Sequence, residues 1–86
     1  MKKRYYVLIS GVYGQGKTAQ RLLLDRQPKS GYFITKVEAS AQAKEHLADW
    51  KRVFKEANDM IDRGQSNQSR RNVESLKAEV KEKKVS

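Results

Sequence analysis

The chain of 86 residues contains no cysteine, one histidine and one proline. Without cysteine it forms no disulfide and no thiolate metal site, and a single histidine excludes the multi-histidine zinc sites. His46 flanks an apolar stripe, so we interpret it as a boundary residue of the core and not as a metal ligand. The absence of disulfides fits a reducing compartment.

Long apolar runs are also absent. The longest uninterrupted run is YYVLI at residues 5–9, far short of the roughly 20 residues that a membrane-spanning helix needs. We therefore expect a cytoplasmic location and no membrane partner. With 37% hydrophobic and 34% charged residues, the composition is typical of one small globular domain and not of a disordered chain.

Acidic residues are scarce at both ends of a chain whose net charge is +9. Residues 1–36 carry eight Lys or Arg and one acid, residues 65–86 carry six and three, and residues 37–64 carry five and six. The two ends, and not the balanced middle, are therefore expected to meet an anionic partner.

Residues 11–18, GVYGQGKT, match the phosphate-binding loop pattern of Gly, four residues, Gly, Lys and Thr. In a nucleotide site the loop would be shaped by glycines, with a lysine on the phosphates and a threonine on magnesium. The residues are Gly11, Gly14, Gly16, Lys17 and Thr18. A magnesium nucleotide is the only cofactor that the sequence suggests.

The same pattern needs a helix directly after Thr18, because the amides at its N-terminus hold the phosphates. In such a helix Asp25 would lie about 10 Å or more from the phosphates, so it could not hold the magnesium. We therefore favour a flexible glycine turn and keep nucleotide binding as an alternative. A helix at residues 18–26 would support the alternative, and a strand would oppose it.

Two further apolar runs flank the turn-forming segment QPKSG at residues 27–31. Together with residues 5–10 they predict a three-stranded antiparallel meander, with strands at about 5–10, 20–26 and 32–37. The fold class is therefore α+β, with the sheet packed by one long amphipathic helix.

The helix is predicted at about residues 40–63 from apolar residues that recur every three or four positions. They are Ala43, Leu47, Trp50, Phe54, Ala57 and Ile61, with Val53 and Met60 widening the stripe. Ser40 is expected to cap the N-terminus and Gly64 the C-terminus. We interpret Trp50 as a core residue rather than an anchor for a partner.

The last segment, residues 65–86, is predicted to be a basic helix or tail outside a single domain at residues 1–64. Its apolar residues Val73, Leu76 and Val80 are spaced three and four apart, which favours a short helix. Arg70 and Arg71 would then lie at the positive end of the helix dipole, where cations are unfavourable.

Basic residues alternate with aromatic ones through the first third of the chain. Such a combination is typical of nucleic-acid binding, because cations neutralise phosphates and exposed rings stack on bases. The candidate nucleic-acid-binding residues are Lys2, Lys3, Arg4, Lys17, Arg21, Arg26, Lys29, Lys36, Arg70 and Arg71. Tyr5 and Tyr6 lie on opposite faces of a strand, so only one of them can join such a surface.

A likeness to one protein class rests on the opening MKKRYYV, the apolar run that ends at Asp25, the GYF at residues 31–33 and the helix containing Trp50. Over residues 1–64 the chain resembles small accessory proteins of phages and prophages of Gram-positive bacteria. The resemblance implies a small cytoplasmic binding protein that modulates host or phage nucleic-acid machinery. Inhibition of a host defence nuclease belongs to the same class.

The sequence thus predicts a small basic binding protein that is not an enzyme, with no catalytic residue and no metal-ligand set. Its partner is expected to be nucleic acid or a nucleic-acid-processing protein. Three alternatives remain open, namely the nucleotide-binding loop, a protein-interaction module or inhibitor that acts on an acidic protein surface, and a structural or dimer-forming role. The oligomeric state cannot be deduced from these patterns.

Overall fold

A computed structural model describes residues 2–14, 16–67 and 70–85 of the chain. The elements are β1 (Lys2–Tyr13), a 3₁₀ turn (Gly16–Thr18), β2 (Gln20–Gln27), α1 (Lys36–Asp62) and β3 (Arg71–Val85). The strands form one antiparallel sheet in the order β2-β1-β3, and α1 packs on one face of it. The predicted α+β class, with three antiparallel strands and one long helix, is confirmed.

The third strand is β3, and the strand predicted at residues 32–37 is wrong. In that segment only Phe33 pairs with the sheet, through an isolated bridge to Tyr5. Thr35 then caps α1, since its hydroxyl accepts a hydrogen bond of 3.2 Å from the backbone N–H of Glu38. This cap begins a helix at Lys36 in spite of the β-branched residues around it. The sheet is therefore not a consecutive meander.

The helix or tail predicted for residues 65–86 is also wrong over β3. Strand β3 pairs along β1 from Val85 opposite Lys2 to Arg71 opposite Tyr13. The apolar residues Leu76, Ala78 and Val80 recur at every second position, and this period of two places them on the face that α1 covers. The C-terminal segment is therefore an integral part of the domain.

Helix α1 turns the predicted stripe toward the sheet, with Ala43 and Phe54 buried and the other four residues half-buried. It begins four residues before Ser40, so Ser40 does not cap it. Ala39, Ala43, Phe54 and Asn58 are buried, and Trp50 packs against the core, as its interpretation as a core residue predicted. Val53 and Met60 are 43% and 48% exposed, so they do not widen the stripe. The helix ends at Asp62 with Arg63 as its cap, and Gly64 follows in the left-handed conformation with φ of 75°.

Candidate nucleic-acid interface

The two faces of the sheet differ because successive side chains of a strand point to opposite sides. On β1, Val7 and Ile9 are fully buried against α1. The even-numbered residues Arg4, Tyr6 and Leu8 of the same strand point to the other side. We call this second side, which α1 does not cover, the open face.

The register of the strands brings seven cations onto the open face. On β3, Lys83, Lys81 and Lys77 lie opposite Arg4, Tyr6 and Ser10 of β1. On β2, Arg26 and Arg21 lie opposite Leu8 and Val12. The full set is Lys2, Arg4, Arg21, Arg26, Lys77, Lys81 and Lys83. Basic residues on both edge strands thus flank a central strand that carries Tyr6 and Leu8.

One end of the open face holds a cluster of Tyr6, Arg26, Tyr32 and Lys83, which we call the tyrosine–arginine cluster. The guanidinium carbon of Arg26 lies 4.8 Å from the ring centre of Tyr6 and 5.5 Å from that of Tyr32. Its Nη2 donates a hydrogen bond of 3.0 Å to the Tyr32 hydroxyl. The two rings meet edge to face, with centres 5.9 Å apart, and Lys83 Nζ lies 5.9 Å from the centre of the Tyr32 ring.

Tyr32 reaches the open face although it lies outside the three strands. Its neighbour Phe33 pairs with Tyr5 through two backbone hydrogen bonds of 2.9 Å and packs against the core. Because adjacent residues of an extended segment point to opposite sides, Tyr32 turns toward Tyr6. The hydrogen bond from Arg26, with the charge of Lys83 nearby, lowers the pKa of the Tyr32 hydroxyl.

At the other end of the open face, Arg21 reaches across the sheet. Its Nη1 donates to Ser10 Oγ at 3.0 Å and to the backbone carbonyl of Ser75 at 3.1 Å. Ser75 is fixed in turn, since its hydroxyl accepts a hydrogen bond from the backbone N–H of Val12 and donates one to the carbonyl of Asn72. An irregularity in the β1–β3 pairing at this point brings Ser75 within reach.

The one carboxylate that the strand register places on the open face is Glu79. It pairs with Lys77 at 2.6 Å and with Lys81 at 3.1 Å. Hydrogen bonds from these two lysines lower the pKa of Glu79 to about 2. The carboxylate therefore stays ionised at all physiological pH values.

Asp25, on the covered face, fixes the end of β2 that carries Arg26. Its carboxylate accepts hydrogen bonds of 2.8 Å from the backbone N–H of Arg26 and 2.9 Å from the side chain of Gln27. Burial alone would raise the pKa of Asp25, but the bonds from Gln27, Arg26 and Trp50 hold it below its ordinary value. Asp25 is thus part of the structural support and not a magnesium ligand beside a phosphate loop.

The open face contains four of the ten residues that the sequence suggested, namely Lys2, Arg4, Arg21 and Arg26. The others lie elsewhere. Lys3 points to the covered side and pairs with Glu82 at 3.6 Å. Lys17 lies in the 3₁₀ turn, Lys29 in the loop after β2, Lys36 at the first residue of α1, Arg70 directly before β3 and Arg71 at its first residue.

Arg70 and Arg71 are not at a helix N-terminus, so the predicted conflict with a helix dipole does not arise. Arg70 forms an ion pair with Asp62 at the end of α1. The side chain of Arg71 lies over the ring of Tyr13, with 5.2 Å from its guanidinium carbon to the ring centre. Its backbone N–H and C=O are both bound by the side chain of the buried Asn58 at 2.8 Å. This end of β3 is therefore held by α1.

Sequence reasoning missed the three lysines of β3 that lie on the open face. The signal was present, because Lys77, Glu79, Lys81 and Lys83 recur at every second position. The apolar residues between them at positions 76, 78 and 80 have the same period. This alternation identifies a strand with one apolar and one basic face.

The glycine-rich segment lacks the helix that a phosphate-binding loop requires. Residues 20–27 form strand β2, and the 3₁₀ turn before it has three residues. Gly14 and Gly16 adopt positive φ angles of 86° and 60° and reverse the chain. Gly11 lies within β1, where an added Cβ would come within 2.9 Å of Leu76 and 3.0 Å of Phe54. Chain reversal and close packing thus account for all three glycines.

Among residues 2–14, 16–67 and 70–85, no group of three or more His, Cys, Asp or Glu side chains is placed to hold a metal ion. In that part of the chain, no helix has the length and the apolar character needed to cross a membrane. The chain matches no protein-family model, no curated protein and no solved structure.

Proposed function

We propose that the protein is a small binding protein, without catalytic activity, that contacts nucleic acid through the open face of its sheet. The observation that supports this proposal is the seven cations against one paired carboxylate on a surface that also presents Tyr6 and Tyr32. Phosphates attract such a surface, and their condensed counterions are released when cations replace them.

The opposite side of the molecule supplies a contrast. Helix α1 carries five basic and six acidic residues, so its outer surface has almost no net charge. A surface charge that served only solubility would not need to be concentrated on one face of the sheet. We propose, in line with the resemblance to phage accessory proteins, that the chain acts in the cytoplasm on host or phage nucleic-acid machinery.

The test is a titration of labelled oligonucleotides by fluorescence anisotropy at several salt concentrations. The open-face variant combines Arg4→Gln, Lys81→Gln and Lys83→Gln. The control variant combines Lys51→Gln, Arg52→Gln and Lys55→Gln, which removes the same residue types from exposed positions of α1. Both variants therefore have the same net charge and differ only in where the charge is lost.

Each phosphate contact with a single strand contributes about 0.7 to the steepness of log K against the logarithm of the salt concentration. The open-face variant lacks three such contacts, so its slope should be less steep by about 2. Near 0.15 M salt this corresponds to about 50-fold weaker binding, taking the affinities as equal at 1 M. The control variant should bind as the original protein does. Equal losses in both variants would contradict a defined surface.

A complete lack of oligonucleotide binding at low salt would reject the proposal. The same open face would then have to be tested against an acidic protein, the alternative that its charge also permits. The nucleotide alternative has its own test, because Mg-nucleotide binding that is lost in Lys17→Ala would restore it. The strand at residues 20–27 leads us to expect no such binding.

A further inference from the structure

We infer that the open face takes a single strand of nucleic acid in preference to a duplex, with unpaired bases over Tyr6, Leu8 and Tyr32 and phosphates at the edge cations. This inference rests on the proposed function and adds the class of nucleic acid. It is carried by the distribution of apolar and charged side chains across the three strands.

The middle of the open face is apolar while its edges are basic. Tyr6, Leu8 and Val12 are half-buried residues of the central strand, and Leu23 of β2 is 62% exposed opposite Ser10. Arg21 and Arg26 lie on one edge strand, with the lysines of β3 on the other. An unpaired base brings an apolar ring to the middle while its phosphate remains at an edge, so both kinds of surface are used.

A duplex would contact the cations of the open face but not its apolar middle. Its bases are stacked and paired inside the helix, and its outer surface presents phosphates and sugars. The cations of the open face would be satisfied, but Tyr6, Leu8 and Leu23 would meet polar groups or water. A single strand is therefore the better match to the whole face, whereas a duplex matches the charges alone.

The tyrosine–arginine cluster is prepared for stacking before any ligand binds. Arg26 is held by two rings and by a hydrogen bond to Tyr32, and Phe33 anchors the backbone beside Tyr32 through its bridge to Tyr5. Rings and guanidinium planes are both surfaces on which bases stack. Because these groups are already ordered, little side-chain entropy is lost on binding.

The experiment compares three labelled ligands with the full chain at one salt concentration. They are a single strand of roughly ten nucleotides, a hairpin duplex with the same number of phosphates, and an abasic oligomer that keeps the phosphates but lacks the bases. The single strand is prepared both as RNA and as DNA. The protein variants are Tyr6→Leu and Tyr32→Leu, with Tyr32→Phe as the control that keeps the ring.

The single strand should bind at least about fivefold more tightly than the abasic oligomer, as expected from stacking of one base or more. Each leucine variant should lose about 5- to 150-fold in affinity for the single strand. Binding of the duplex and the abasic oligomer should not change, and Tyr32→Phe, which keeps the ring but loses the hydrogen bond from Arg26, should lose less affinity for the single strand than Tyr32→Leu. Preference for the RNA or the DNA form would identify the natural ligand class.

Equal binding of the three ligands would overturn this inference and leave nucleic-acid binding itself standing. Single-strand preference that survives both leucine substitutions would also overturn it, because the bases would then be recognised elsewhere. Failure of every ligand to bind would overturn both this inference and the proposed function. The abasic comparison needs no variant, so the inference stays testable even when a substitution impairs folding.

Discussion

The covered and the open faces of the sheet are built from alternate residues of the same strands, yet they have opposite compositions. On β1 the covered side carries Val7, Ile9 and Gly11, all of them buried. The open side of the same strand carries Arg4, Tyr6 and Leu8, none of them fully buried. A shift of one residue in the register would exchange the two sets.

The two faces differ in composition because only the covered face has to pack against α1. The covered face must fill the space under α1, and every position there is restricted by packing. The open face carries no such restriction, and its like charges repel one another at a cost in stability. Glu79 offsets only part of this repulsion through its pairs with Lys77 and Lys81. This concentration of charge is what the proposed contact with nucleic acid would use.

The largest effect expected from this comparison concerns Phe54 on the covered side. It is fully buried and touches Trp50 and Tyr13, with ring centres 6.2 and 5.4 Å away. Phe54→Ala should lower the free energy of unfolding by about 3–5 kcal/mol, as measured by urea denaturation. Leu23→Ala truncates an apolar side chain on the open face and should lower the free energy of unfolding by no more than about 0.5 kcal/mol. Similar losses at both positions would contradict the assignment of the faces.

A smaller effect is expected at Gly11, which distinguishes packing from phosphate binding. A methyl group at this position would lie 2.9 Å from Leu76 Cδ2 and 3.0 Å from the Phe54 ring, so these side chains would have to move. Gly11→Ala should therefore cost about 1–3 kcal/mol in the free energy of unfolding. Lys17→Ala, at the exposed turn of the same motif, should leave the stability unchanged. Normal stability of Gly11→Ala would show that the glycine is not required by the core.

The helix and the first two strands were predictable because their signals are local. The three-to-four spacing around Ala43, Trp50 and Phe54 identified α1, and the turn residues after β2 placed its end. The cap at Thr35 was also visible, since Glu38 follows at the third position. It was overlooked because the apolar run at residues 32–37 appeared to continue through it as a strand.

The third strand and half of the site were not predicted, for a physical reason. Strand β3 is stabilised by pairing with β1, a partner 58 residues away in the sequence at Tyr13–Arg71 and 83 residues away at Lys2–Val85. The spacing of Val73, Leu76 and Val80 favours a helix, whereas the alternation at residues 76–83 favours a strand, and pairing with β1 decides between them. With β3 unrecognised, the lysines that complete the open face could not be placed beside Arg4 and Tyr6.

The smallest effect expected is a change in the titration of Tyr32, which tests whether the open face is as ordered as the covered one. The hydrogen bond from Arg26 favours the phenolate over the neutral phenol, so the pKa of Tyr32 lies below the ordinary value of 10.0. The phenolate absorbance that is lost in Tyr32→Phe should therefore have its midpoint below pH 10.0. Because the folded-state pKa is the lower one, ionisation of this group favours the folded state only at high pH and contributes nothing at neutral pH.

Arg26→Gln removes the first cause of this shift and should raise the pKa of Tyr32 toward its ordinary value. Lys51→Gln, on α1, takes away one positive charge far from the ring and should leave the titration as it was. The stability of the folded protein at neutral pH should change little in either variant, because both positions are exposed. An equal pKa of Tyr32 in Arg26→Gln and in the original protein would mean that the guanidinium does not stay on the two rings in solution. The open face would then be a layer of mobile cations, and selection of unpaired bases by a prepared stacking surface would lose its basis.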